Sequence, residues 1–246
     1  MLFLDYGYGR QDPTWLVNEN KSPGYSRVYL LDDGDVTYCD AAGAIRLEKG
    51  HLYIFPSHIP FSIMQHPDNP ISCLWLHLNF FPTLVTGLID VPLEENAVLR
   101  NCLTAFFYEA TGKITCHSLL TAIAQAITEC FYKSGCLSLP DPSTERFLTY
   151  IEERYKEPLT VDRMSQDFGY TTEHFIRLFH SKVGMTPHQY LTSCRLSKAA
   201  VLLREGKTVG EAATRVGYVD QKTFSRAFRS HFGVAPFYYQ QMEPAP

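Results

Sequence analysis

No stretch of 18 or more apolar residues occurs in the 246-residue sequence, which excludes a transmembrane helix. The first residues, MLFLDYGYGR, have neither a basic start nor a sustained apolar run, so a secretory signal is not expected. Seven cysteines (Cys39, Cys73, Cys102, Cys116, Cys130, Cys136 and Cys194) are an odd number and form no CxxC pair. That favours reduced thiols in a cytoplasmic protein over a disulfide or zinc framework. A P-loop, a Ser-His-Asp set and paired carboxylates in a recognisable frame are all missing, so neither catalysis nor a cofactor has support in the sequence. What is present is an apolar fraction of 45%, which rules out a disordered or fibrous chain. The length fits two small domains or one large one.

The formal charge of −4 hides an asymmetry. Residues 1–142 hold 8 Lys and Arg against 15 Asp and Glu, a net −7; residues 143–246 hold 14 against 11, a net +3. The basic half is the one suited to a polyanion.

That half contains a repeat. Gly169-Tyr170 returns 48 residues later as Gly217-Tyr218. Phe175, Arg177, Phe179, Gly184, Pro187 and Tyr190 return after 49 residues as Phe224, Arg226, Phe228, Gly233, Pro236 and Tyr239, which puts one inserted residue in the turn after the second Gly-Tyr. Each copy reads as helix, glycine turn, helix. Thr208 and Glu211 form a capping-box pattern, and Asp220 is the expected N-cap of the following helix. Phe224, Ala227 and Phe228 make an inward stripe, with Gln221, Lys222, Ser225, Arg226 and Arg229 on the other side. In the first copy Phe175, Leu178 and Phe179 point inward, while Thr172, Glu173, Ile176, Arg177 and His180 point out. The pattern is a tandem helix-turn-helix whose polar faces can enter a major groove. The bland alternative is a helical bundle with solvated faces.

The residues from Arg195-Leu196-x-x-Ala199-x-x-Leu202-Leu203 through VGEAATRVGYVDQKTFSRAFRSHFGVAP closely resemble the AraC/XylS family of bacterial transcription regulators, over about residues 143–240. The resemblance implies a long helix, about Pro187 to Arg204, joining two recognition helices that enter successive major grooves. It implies base contacts from Gln221, Lys222, Ser225 and Arg226 in the second helix and from Thr172, Glu173, Ile176 and Arg177 in the first. Arg and Gln suit guanine and adenine, Glu accepts from cytosine, and Ile meets a thymine methyl. Lys182, Arg195, Lys198 and Arg229 are the expected phosphate contacts.

The acidic half carries short runs at 27–31, 35–38, 44–47, 52–55, 63–65 and 73–80, with turn signals at Asp32-Asp33-Gly34 and Lys49-Gly50. This spacing predicts a β-barrel or jelly roll. Gly50-x5-Pro56-x-His58-x2-Phe61 resembles the second cupin motif, with Phe61 where metal-binding cupins place a histidine, and no His-x-His precedes it. A metal centre is therefore not expected. An aromatic-lined interior suits a small ligand, and a looser resemblance to the sugar-binding domain of the AraC subgroup implies a sugar. Trp75 and His77 share one strand face and make a sugar platform, or equally a packed indole with a satisfied imidazole. Tyr25, Asp33 and Phe61 are further candidates; His51, His58 and His66 are expected on the surface or in turns.

Leu99, Leu103, Phe106 and Phe107, then Leu119, Leu120, Ile123, Ala124, Ile127 and Phe131, recur at helical spacing and predict helices at about 95–111 and 115–133. In the resembled family such helices form a dimer interface; alternatively they only cover the barrel. Gly135 to Pro142 reads as a linker.

The expected architecture is thus two-domain α+β. Residues 1–134 form a cupin-like ligand-sensing and dimerisation domain with two flanking helices, 135–142 a linker, and 143–246 an all-α tandem helix-turn-helix. The expected function is a cytoplasmic, sequence-specific transcription regulator controlled by a small molecule, with double-stranded DNA, the effector, a second copy of the chain and RNA polymerase as partners. By analogy with the family it is an activator. Two rivals remain: a cupin-type enzyme fused to a DNA-binding module, and a ligand-free regulator controlled by a partner protein.

Overall fold

The structure, a computed structural model, describes residues 2–19, 25–57, 59–81 and 83–241, with residues 2–4 described in backbone only. His58 lies outside the described residues. Contacts divide the chain into two units that part between Ser138 and Leu139.

The first unit opens with nine strands: β1 (Leu2–Arg10), β2 (Leu16–Glu19), β3 (Ser26–Asp33), β4 (Val36–Asp40), β5 (Gly43–Arg46), β6 (His51–Ile54), β7 (Phe61–Gln65), β8 (Ser72–Asn79) and β9 (Ile89–Pro92). They form two separate sheets, in the orders β1-β8-β3-β6-β9 and β2-β7-β4-β5, and not a closed barrel. The six expected runs are all strands, and β1, β2 and β9 are added to them. Helices α1 (Ala97–Ala110) and α2 (His117–Lys133) follow; Asn96 caps the first by accepting from Leu99 N.

The five-stranded sheet is covered on both faces. Val28 of β3, Leu52 and Ile54 of β6, and Leu74, Leu76 and Leu78 of β8 pack with Leu99, Leu103, Phe106, Leu120, Ile127 and Phe131 of the two helices. The alternate residues, Tyr29 and Leu31 of β3, Tyr53 of β6 and Cys73 of β8, pack with Val17, Val36, Tyr38, Phe61 and Ile63 of the second sheet. The helices therefore do cover a sheet, as the plainer of the two expectations had it. Val98 and Tyr108 of α1, Leu119 of α2 and Ile114 in the connection between them are exposed.

The segment read as a linker is structured at both ends. Leu137 is buried in the first unit's core, and Thr83 Oγ1 donates to Ser138 O at 2.9 Å. Asp141 is the N-cap of the next helix, with Pro142 as its first residue.

The second unit is all helical: α3 (Pro142–Arg154), α4 (Val161–Asp167), α5 (Thr172–Val183), α6 (Pro187–Arg204), α7 (Val209–Arg215), α8 (Gln221–Phe232) and α9 (Pro236–Gln241). Thr186 caps the long α6 in a capping box with Gln189. Helix α6 is buried along Leu191, Cys194, Leu196, Ala199, Ala200 and Leu203, and α3, α5, α7, α8 and α9 all pack against it. No helix among the described residues is long and apolar enough to cross a membrane.

Candidate ligand site and DNA-reading helices

Each helix-turn-helix is locked by its own turn. In the second, Thr208 and Glu211 bond reciprocally, Glu211 Oε2 accepting from Thr208 N at 2.9 Å. The chain then turns at Gly217, where φ is +88° and a Cβ would lie 2.7 Å from the Lys156 carbonyl oxygen. Asp220 caps α8, accepting from Thr223 N at 2.8 Å and from Lys222 N at 3.3 Å. Phe224 and Phe228 are fully buried, and the periodicity leaves Gln221, Lys222, Arg226 and Arg229 exposed with Ser225 partly so.

In the first unit of the pair, Thr171 caps α5 through His174 N. Glu173 and Arg177 are exposed and Ile176 is partly buried. Thr172 is already engaged: its hydroxyl donates to Asp162 Oδ1 at 2.8 Å and lies 3.2 Å from Ser165 Oγ, tying α5 to α4.

The expected phosphate contacts divide. Arg229 is exposed on α8. Arg195, by contrast, is turned inward: Nε donates to Tyr155 O and Nη2 to Glu157 O, both at 2.7 Å, with the guanidinium 5.7 Å from the Tyr218 ring. Lys198 pairs with the largely buried Glu152 at 2.8 Å and lies over Tyr155. These two partly buried cations tie α6 to the end of α3. Lys182 pairs with the α3 cap Asp141 at 3.2 Å, and the Thr144 and Ser143 hydroxyls together with that cation hold the Asp141 carboxyl well below the usual range.

The candidate ligand site lies on the β3–β8 pair, on the side of the five-stranded sheet that faces the second sheet. Arg27 and His77 are direct cross-strand partners, as are Tyr29 and Trp75. Arg27 Nη1 donates to His77 Nε2 at 2.9 Å, while Nε and Nη2 both donate to Glu19 Oε1 of β2. The ion-paired side chains are only 16% and 17% exposed. The Tyr25 ring lies 4.7 Å and the Trp75 ring 4.8 Å from the His77 ring, both tilted against it, and Arg27 lies 5.5 Å from the Tyr25 ring. Gly7 of β1 makes room for the indole, because a Cβ there would sit 2.6 Å from Trp75 Cζ2.

Burial opposes the Arg27 charge, but Tyr25, Tyr29 and Glu19 beside it more than offset this, and its pKa rises. Burial, followed by the Arg27 charge, pushes His77 well below its ordinary value, so the imidazole is neutral. Arginine has no acceptor, so Nε2 of that neutral ring accepts and Nδ1 carries the proton. The result is a neutral set of one cation, one anion and one imidazole, flanked by an indole and a phenol.

Of the five residues expected to bind ligand, the structure brings Trp75, His77 and Tyr25 together. Phe61 instead packs into the inter-sheet core, 5.8 Å from Phe55 and 5.6 Å from Tyr38, in cross-strand register with Glu19. Asp33 lies apart, in an exposed ion pair with Arg10 at 2.7 Å. His66 is exposed and His51 is bonded to Asp90 at 2.7 Å. Among the described residues no three metal-ligating side chains converge. The sequence pattern does not single out Arg27 and Glu19, the charged centre of the cluster.

An α-helical unit with two helix-turn-helix motifs, joined in one chain to a two-sheet unit, defines a DNA-binding transcription regulator. The comparisons with known proteins agree. The helix-turn-helix domain family matches residues 164–242. The lactose operon transcription activator of Staphylococcus xylosus is 30% identical over 232 residues, covering 87% of this chain and 83% of that protein. The raffinose operon transcriptional regulatory protein RafR of Pediococcus pentosaceus is 23% identical over 232 residues, covering 87% and 84%. Among solved structures, ToxT of Vibrio cholerae has the same fold, with a TM-score of 0.66 at 15% identity over 98% of each chain. This chain belongs to the AraC/XylS family of bacterial transcription regulators.

Proposed function

We propose that this chain is a cytoplasmic activator of carbohydrate-utilisation genes, switched by a sugar bound between its two sheets. The observation that carries the reading is the Glu19–Arg27–His77 set between Trp75 and Tyr25. Aromatic faces stack on sugar C–H groups, and the charged pair and the imidazole suit hydroxyl groups, which both donate and accept. The raffinose and lactose operon regulators among its relatives support the same ligand class.

A fatty acid is the competing class, because one ToxT structure holds an unsaturated fatty acid. Here Glu19 already neutralises Arg27. A carboxylate entering the site must displace Glu19 or leave a buried uncompensated charge, which costs several kcal/mol, roughly. A neutral polyol does neither.

Base readout falls to Gln221, Lys222, Ser225 and Arg226, with Glu173, Ile176 and Arg177 in the first helix and Arg229 on phosphate. Arg195, Lys198, Lys182 and Thr172 act by holding the helices in place. A second copy of the chain pairs through α1, α2 and the connection between them, where Val98, Tyr108, Ile114 and Leu119 leave apolar area in water. RNA polymerase is the partner of the DNA-bound form.

Thermal unfolding of the full chain against lactose, raffinose, simpler sugars and an unsaturated fatty acid tests the ligand class. A sugar at 100 times its Kd adds about 2.7 kcal/mol, and Trp75→Ala should abolish the shift. A shift from the fatty acid alone would transfer the site to the competing class.

A further inference from the structure

The two helix-turn-helix motifs differ by one residue, and the structure shows where it went. In the first, Gly169-Tyr170 is followed at once by the N-cap Thr171; in the second, Gly217-Tyr218 is followed by Val219 and only then by the N-cap Asp220. The added residue is apolar and β-branched, and it is fully exposed, at 105% relative accessibility.

This exposure is not that of a loose loop. Upstream, Gly217 is pressed against the Lys156 backbone, and Tyr218 N donates to Ala213 O at 3.0 Å while its ring packs 5.4 Å from that of Phe224. Downstream, Asp220 is fixed by the Thr223 hydroxyl as well as by the α8 backbone. Val219 is thus held out from a pinned turn with a stiff side chain, just ahead of the end of α8 that carries Gln221 and Lys222.

In a helix-turn-helix protein the N-terminal end of the recognition helix meets the base edges. The valine side chain cannot serve a phosphate. The apolar group that the major groove offers is the thymine C5-methyl. We infer that Val219 is a specificity residue that packs on a thymine methyl beside the bases read by α8. The inference rests on the DNA-reading role of that helix.

The test uses the full-length chain and a duplex selected by it from random sequence. Each thymine in the half-site affected by Arg226→Ala is replaced in turn by deoxyuridine, which removes only the methyl group. At one position the wild type should bind about three- to fivefold more weakly, the size set by one buried methyl, while Val219→Ser binds both duplexes alike. Because Val219 is fully exposed, that variant should keep its unfolding midpoint. Selection of no sequence at all would overturn the α8 reading together with this one. A selected sequence that depends on Arg226, yet has no thymine there or ignores every methyl, overturns the Val219 assignment alone. A Val219→Ser defect in transcription without any change in DNA binding would do the same, by assigning the valine to a protein contact.

Discussion

Arg27 and His77 face each other across β3 and β8, Nη1 to Nε2 at 2.9 Å, and the buried imidazole is neutral. Burial, then the Arg27 charge, keeps the folded-state pKa well below the ordinary value near 6.5. The unfolded chain takes up a proton at His77 below that pH and the folded chain does not. Stability from this residue is therefore complete above about pH 6.5 and declines as the pH falls below it, by roughly 1.4 kcal/mol per unit. Denaturant unfolding at pH 7.5, 6.5 and 5.5 should show the decline in the wild type. His77→Gln, which keeps an acceptor for Arg27, should flatten it; equal slopes would mean that His77 titrates normally.

The glycines of the two turns give a matched pair. Gly169 and Gly217 share positive φ, +74° and +88°, but a Cβ at Gly169 meets nothing within 4 Å while one at Gly217 strikes Lys156 backbone. Gly169→Ala should cost only the left-handed backbone energy, about 1–2 kcal/mol. Gly217→Ala should cost clearly more, and equal midpoints for the two variants in urea would refute the close approach.

Three arginines with similar charge should behave differently on DNA. Arg226→Ala should lose roughly 1–3 kcal/mol and relax one base position. Arg229→Ala should weaken all sequences alike and make the salt slope shallower by about one. Arg195→Ala should leave the slope unchanged and lower the unfolding midpoint, since its bonds go to Tyr155 O and Glu157 O. Affinities measured over a salt series separate the three outcomes.

The helical half was legible for local reasons. The Thr208–Glu211 box, the Asp220 cap and the Phe224/Phe228 stripe each announce a boundary or a face within a few residues, and the repeat gives the stripe a second time as Phe175/Phe179. The strand-rich half was legible only in part. Strands β2 and β9 lie outside the regularly spaced runs of residues 26–80, and β1 contains Gly7 and Gly9. Arg27 alternates with Val28 and so reads as a solvent-facing residue of a one-sided sheet. The five-stranded sheet is covered on both faces, however, and its partner Glu19 comes from the other sheet. Only pairing across strands reveals that contact. The inward turn of Arg195 is likewise invisible, because its acceptors are backbone carbonyls about 40 residues away.

Room for the Trp75 indole depends on Gly7. Gly7→Ala should push the ring off β1, and the sugar-induced rise in midpoint should shrink more than the midpoint itself. A variant that responds to sugar as the wild type does would remove Trp75 from the binding surface.

The most direct measurement is transcript yield in a purified system of this chain, RNA polymerase and a template carrying the selected site, with and without the sugar that shifts unfolding. An effector acts only through unequal affinity for two states, and couplings of about 5- to 150-fold are usual. The account predicts a sugar-dependent rise that Trp75→Ala abolishes while basal DNA binding persists. Equal yields with and without sugar, from a chain that binds both sugar and DNA, would contradict it.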